Sequence, residues 1–380
     1  MEIYVVKPGD NVDGIAEAFG LAVSRIIFDN QLVYPYELAV GQALFIGTGV
    51  QNPERTVSVG GYAYPFINGW VLEQTLLYLS ELLIFSYGFT SEGELIAPLW
   101  DDTWMIREAF SFGARPILTL TPFGPDGLFN NRLISSVVNN AAYGENLIRN
   151  LLLVMEEKGY QGVDIDFEYI LASDRDAFTA FVGRVAEAMG INGYTTSVAL
   201  APKTSADQQG LLYEGKDYRA LGEIADHVLL MTYEWGYTYG PPMAVAPINQ
   251  VRRVVEYALT EIPAEKINLG IPNYGYDWPL PYERGVTRAT TIGNVQAVRI
   301  AVEQGVEISF DAIAQSPFFT YTDKVAGIAH EVWFEDVRSL QAKFDLIKEF
   351  GLRGLSYWQI MQWFRANWLL LAENFYIRKG

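Results

Sequence analysis

The spacing of hydrophobic positions changes period repeatedly along this chain, and each change marks an element. Near the N-terminus the apolar run Ile3-Tyr4-Val5-Val6 has strand character, and Lys7-Pro8-Gly9-Asp10-Asn11 is turn chemistry able to cap a helix. Val12, Ile15, Ala16 and Phe19 follow at helical spacing, with Gly20 as the stop. A second helix is expected over 22–29, ending at Asn30, and a second strand over 41–46 after a loop containing Pro35. Residues 1–47 therefore read as a compact βααβ unit. The stretch 48–56 holds Gly, Asn, Pro and charge without an apolar period, and reads as a linker.

From Val57 onward short apolar runs alternate with amphipathic helical patterns, the signal for βα units around a parallel sheet. The pattern predicts strands over 57–64, 82–87, 115–121, 162–167, 195–201, 227–233, 267–273 and 353–358. The clearest helices fall at 142–158, 174–189, 250–261 and 336–350. Eight such units favour a closed (β/α)8 (TIM) barrel over a doubly wound sheet, so the fold class is α/β, with 57–380 as one barrel domain. Residues from about 274 to 335 are too many for a loop and contain strand-like fragments, which predicts a small α+β insertion after the seventh strand.

One predicted strand stands apart. In Gly162-Val163-Asp164-Ile165-Asp166-Phe167-Glu168 one face is apolar and the other carries three carboxylates. Side chains two apart on a strand are only about 7 Å from each other, so the three cannot all ionise normally. Such forced separation lets one site hold an acid and an anion together. An edge strand facing water and a Mg²⁺ site are the competing readings of this stretch alone. In a barrel, functional groups gather at the C-terminal ends of strands. Glu168 would close strand four, Tyr233 (with Met231 on the same face) strand six and Trp358 strand eight, with Tyr62 late in strand one. Carboxylates, phenols and an indole in one cleft suit a sugar.

Composition narrows the classes. A net charge of −18 argues against a nucleic-acid partner, and the absence of cysteine excludes disulfides and thiolate metal sites. His227 and His330, the two histidines, are expected to be structural. No apolar run approaches membrane-spanning length, and the N-terminus has no signal-peptide pattern, so the expected location is the cytoplasm or a site reached without ordinary secretion.

The first 47 residues resemble a LysM module, through Tyr-Val-Val-Lys-Pro-Gly-Asp-Asn-Val at the front and Leu-Ala-Val-Gly-Gln-Ala-Leu-Phe-Ile at the back. That resemblance implies binding of N-acetylglucosamine-containing glycans, with Gly9, Asp10, Asn11, Val12, Asn30 and Pro35 as candidate contacts. The acidic stretch is similar to the Asp-x-x-Asp-x-Asp-x-Glu signature of family 18 glycoside hydrolases. Met231-Thr232-Tyr233-Glu234 resembles that family's Met-x-Tyr-Asp, and Gly354-Leu355-Ser356-Tyr357-Trp358 its last barrel strand. Gln161 replaces the first Asp of the signature, and Glu234 replaces the Asp after the tyrosine. The LysM pairing and residues 231–242 resemble the spore-cortex-lytic branch of the family.

The resemblance implies a peptidoglycan-cleaving N-acetyl-β-D-glucosaminidase that works by substrate-assisted retention without metal or organic cofactor. Glu168, kept protonated by its anionic neighbours, would be the general acid and base. Asp166 would orient the substrate acetamide, with Asp164 behind it, and Tyr233 would hold the acetamide carbonyl. Trp358, Met231, Glu234, Tyr62 and Tyr274 are the candidate sugar contacts. The partner implied is a glycan, with no protein partner, and the protein would be made in the mother cell and deposited on the spore coat or cortex. A chitinase-like hydrolase and a non-catalytic, lectin-like glycan binder are the alternatives.

Overall fold

The computed structural model describes residues 1–47, 53 and 55–380, so most of the expected linker lies outside the described residues. Its C-terminal end does not: Thr56 already opens the first barrel strand, and Arg55 donates to the Ile347 carbonyl at 3.0 Å.

Eight parallel strands close into a barrel. In order they are Thr56–Ala63, Glu81–Phe89, Arg115–Leu120, Gly162–Ile165, Thr195–Leu200, His227–Leu230, Ile267–Pro272 and Gly354–Trp358. Each pairs with its successor, strand eight pairs with strand one, and strand one pairs with strand two, which rules out both the doubly wound sheet and an exposed acidic edge. Helices follow the strands, among them Gly69–Leu76, Ala141–Lys158, Arg175–Ile191, Ile248–Glu261, Val337–Glu349 and Arg365–Asn374. Among the described residues no helix is long and apolar enough to cross a membrane.

The packing explains why the acidic stretch points inward. Phe167 stands on the outer face and stacks against Phe181 of helix Arg175–Ile191, with ring centroids 6.4 Å apart, and packs at a tilt against Phe89 at 5.4 Å. Phe178, Phe181, Val182, Val185 and Met189 bury that helix against the strands. Burying Phe167 outward forces its neighbours Asp166 and Glu168 to the opposite side, because side chains alternate along extended backbone. Losing such a ring costs about 3–5 kcal/mol, enough to hold the register.

Both histidines are structural. His227 is buried at 3.4 Å from Glu81, whose carboxylate also meets Arg353 at 3.3 Å and Arg115 at 3.6 Å. Burial alone would raise the Glu81 pKa, but its contacts with His227, Arg353 and Arg115 hold it far below its usual value. His330 Nδ1 lies 2.7 Å from Asp277 in the insertion.

The insertion after strand seven is a five-stranded antiparallel sheet built from Gly275–Pro279, Thr290–Ile292, Ser309–Asp311, Ser316–Thr322 and Ala329–Trp333, with helix Asn294–Gln304 against it. At the N-terminus, strands Glu2–Val5 and Ala43–Ile46 pair antiparallel around helices Val12–Phe19 and Val23–Asp29. This unit is docked on the rest of the chain. Ile308 N–H donates to Val40 O at 2.8 Å, and Arg338 donates to Gly41 O at 3.1 Å. A side chain at Gly41 would meet Ile308 O at 1.9 Å, and its φ of +82° also favours glycine.

Candidate active site

The C-terminal mouth of the barrel opens into a cleft of about 690 Å³. Asp166, Glu168, Met231, Tyr233, Glu234 and Trp358 all border it, so six of the expected residues converge there. Strand pairing stops at Ile165 and at Leu230, so Asp166, Glu168 and Tyr233 stand just past the strand ends rather than in them. The Asp166 N–H still donates to Leu120 O at 3.0 Å, which keeps the extended path for one more residue.

Asp164 lies beneath the floor of the cleft. Its two oxygens accept from Tyr62 Oη at 2.7 Å and from Ser197 Oγ at 2.6 Å. Tyr62, expected at the sugar, is instead buried under the cleft as the donor to Asp164. The period-two alternation brings Tyr64, two residues later, to the cleft wall in its place. Tyr274 is displaced in the same way: it is buried and donates to Glu234, while Tyr276 borders the cleft. Gln161 precedes the strand, where its amide donates to Gly159 O at 3.3 Å, well removed from the carboxylates of the mouth.

The environment decides protonation. Burial raises the Asp164 pKa, opposed by the Ser197 and Tyr62 hydrogen bonds. Burial raises Asp166 well above the carboxylate range, and Glu168 and Asp164 raise it further. Glu168 is raised first by burial, with Lys216 opposing, and it shares with Asp166 the repulsion of two adjacent carboxylates. Tyr233 is likewise pushed well up, first by burial and then by Asp166 and Glu168. One oxygen of Asp166, Oδ1, is buried without a hydrogen-bond partner. A buried, unpartnered acceptor at a cleft wall is costly unless a ligand donor meets it.

Lys216 is a charged residue that sequence reasoning missed. It is fully buried in the loop after strand five, and its Nζ donates to Ala199 O at 2.9 Å. Burial lowers its pKa to about 8, while Asp166, Glu168 and Asp164 hold it up. No periodicity marks it, because a lysine in a polar loop ordinarily faces water.

Glu234 adopts φ +66°, which non-glycine residues seldom do, and though exposed as a residue it presents its carboxylate to two phenols, Tyr274 and Tyr276, the latter at 2.9 Å. Trp358 is held edge-to-face by Phe85 at 5.0 Å and Tyr62 at 5.6 Å. Phe123, Phe129, Tyr169 and Tyr213 complete an aromatic wall that no single strand pattern reveals, since they come from three different loops. The cleft thus places two carboxyls with raised pKa side by side, one of them with an unpartnered oxygen, among aromatic side chains.

Of the six LysM contacts expected, Val12 is buried in the core of its unit, and Asn30 is spent on bonds with Ile26 and Phe45. Asp10 accepts from Lys7 N–H and Tyr4 Oη, both at 2.7 Å, and Asn11 caps a helix through Gly14 N–H at 2.8 Å. Asp10, Asn11 and Pro35 border one depression of about 570 Å³, closed on its far side by Gly305 and Glu307 of the insertion. Gly9 is exposed in the turn beside it at φ +88°.

The model for glycosyl hydrolases family 18 matches residues 126–362, and that for the LysM domain matches residues 4–47. The chain is 40% identical to the cortical fragment-lytic enzyme of Bacillus subtilis (strain 168), across 100% of this chain and 99% of that one. It superposes on the crystal structure of the Bacillus megaterium QM B1551 spore cortex-lytic enzyme SleL with a TM-score of 0.94 and 34% identity, covering 100% and 99% of the two chains. A chitinase from Chromobacterium violaceum shares the fold at 23% identity and a TM-score of 0.76, over 84% of this chain and 98% of that one.

Proposed function

This chain belongs to glycosyl hydrolase family 18 and carries a LysM domain, and from that premise we propose that it is an N-acetyl-β-D-glucosaminidase acting on spore-cortex peptidoglycan or its fragments. In this reading Glu168 donates its proton to the leaving glycosidic oxygen. The substrate's own acetamide oxygen attacks the anomeric carbon, forming an oxazolinium ion that water opens with Glu168 as base. Asp166 accepts the acetamide N–H, Tyr233 donates to the acetamide oxygen, and Trp358 carries the sugar's apolar face.

The observation that carries the proposal is the convergence of Asp166, Glu168, Tyr233 and Trp358 on one cleft, with Asp166 Oδ1 left unpartnered beside it. A second support is the state of Glu234. A mechanism with a protein nucleophile or a base-activated water needs a carboxylate opposite the acid. Glu234 is the carboxylate on the strand-six side of the cleft, and its Oε1 already accepts from both Tyr274 and Tyr276.

Digestion of purified cortex followed by mass analysis tests the reading. New reducing N-acetylglucosamine ends are expected. Reducing muramic acid ends would refute the glucosaminidase assignment.

A further inference from the structure

A second cavity, of about 880 Å³, lies where the LysM unit meets the barrel. One wall is helix Val23–Asp29 with the residues just after it, and the other comes from the loops and helices that follow strands one and eight. None of Gly9, Asp10, Asn11, Val12, Asn30 or Pro35 borders it, so it is separate from the expected LysM contacts.

Three features describe what would fit. First, its aromatic rings are left open to solvent: Phe28 is 64% and Trp70 55% exposed. Flat apolar faces flanked by polar Gln31 and Gln74 match the C–H face and hydroxyl rim of a pyranose. Second, the groove is cationic in a chain of net charge −18. Arg25 at 3.5 Å and Arg365 at 3.1 Å share the single carboxylate of Asp29, and among the described residues no acidic side chain lines the cavity. Among the described residues this leaves one positive charge over for a ligand carboxylate. Third, the walls are held in place before any ligand arrives. Gln31 accepts from Arg365 N–H at 2.6 Å and donates to Trp363 O at 3.3 Å, and the Arg365 guanidinium lies 4.1 Å over the Phe28 ring.

Aromatic side chains lie on the loops after strands one and eight, which border both the groove and the active cleft. Tyr64, on the cleft wall, stacks on Phe66 at 5.1 Å, and Phe66 is 57% exposed on the loop leading to Trp70. Trp70 in turn meets Trp363 edge-to-face at 5.7 Å, five residues beyond the cleft's Trp358.

We propose that this inter-module groove is a second glycan site, which holds a carboxylate-bearing stretch of the same N-acetylhexosamine chain whose end occupies the catalytic cleft. The proposal rests on the peptidoglycan reading above. It makes the LysM unit and the barrel one composite binding surface rather than an anchor and an enzyme joined by a tether. A chain bound at both places gains affinity from effective concentration without any new contact in the cleft.

The test uses the full-length chain in a Glu168→Gln background for binding and the wild-type background for turnover. The probes are soluble peptidoglycan glycans of four or more sugars with free muramyl carboxylates, and chitotetraose. Trp70→Ala is expected to weaken binding of both by up to about tenfold, through loss of stacking. Arg25→Gln is expected to weaken only the carboxylate-bearing probe, by about fivefold. Trp70→Phe should restore most of the loss, and hydrolysis of a 4-nitrophenyl N-acetyl-β-D-glucosaminide, which fills only the cleft, should be unchanged in every variant. Wild-type affinity in Trp70→Ala, with wild-type cortex digestion intact, overturns the groove. Equal losses on both probes in Arg25→Gln overturn the anionic assignment. A wild-type protein that releases no N-acetylglucosamine ends from cortex overturns the underlying reading, and the proposal with it.

Discussion

Lys216 is buried at a cost in stability, and replacing it should separate stability from activity. Its pKa falls from the usual 10.5 to about 8, first through burial. A displacement of that size corresponds to about 3 kcal/mol against the charged form in the folded state. Lys216→Met removes this cost and loses the hydrogen bond to Ala199 O, worth about 1 kcal/mol. A net gain of about 2 kcal/mol is expected at pH 7, or a rise of about 2–3 °C in Tm for a chain of this length. The sign depends on pH. Because the folded pKa lies below the unfolded one, the penalty is fully present below about pH 8 and fades as pH rises toward 10.5. The advantage of the variant should therefore vanish at alkaline pH. Activity should move the other way. Without the cation, Asp166 and Glu168 ionise less readily, so both limbs of the kcat/KM profile should shift to higher pH and the maximum should fall. Thermal unfolding at several pH values and a pH–rate series on one soluble substrate would check this. A variant less stable than wild type at pH 7, or an unmoved pH profile, would refute the assignment of Lys216 as counter-charge to the carboxylates.

Glu168→Gln should lower kcat by about 10²–10⁴-fold, the usual worth of a general acid, while calorimetry shows glycan binding retained. Near-normal turnover would place the acid elsewhere. NMR of the earliest product should show the β anomer, and Asp166→Asn should cost far more rate than Glu234→Gln; an α-anomeric product would instead make Glu234 the base or nucleophile. Lys343 and Glu335 form a fully buried pair at 2.8 Å. Lys343→Met leaves Glu335 uncompensated and should destabilise the protein by about 3–5 kcal/mol in urea unfolding, whereas an unchanged midpoint would mean the pair contributes nothing.

Glu168 and Asp166 were legible because a strand shows its two faces as alternation, and three acids on one face have no ordinary structural reason to be there. The errors at Tyr62 and Tyr274 have a shared cause. Each lies on a segment that enters the mouth of the barrel, and the sequence does not say how deep a given position sits. Two residues, about 7 Å along the strand, separate a phenol that serves Asp164 from one that meets solvent. The alternation was right and the depth was not.

What the sequence determined by itself is whatever depends on short-range periodicity: eight apolar strand runs, the helices between them, the βααβ unit, the insertion and the acidic face of strand four. Each follows from local backbone geometry and from burial of one side of an element, so a window of a dozen residues suffices. What the tertiary structure alone decided depends on distance across the chain. Lys216 matters because its loop folds it under strand four, 50 or so residues earlier in the sequence, where desolvation acts on its charge. The inter-module groove exists because Asp29 and Gln31 meet Trp363 and Arg365, more than 300 residues away. Electrostatics and cavities are sums over everything nearby in space, and closure of the barrel sets which residues those are.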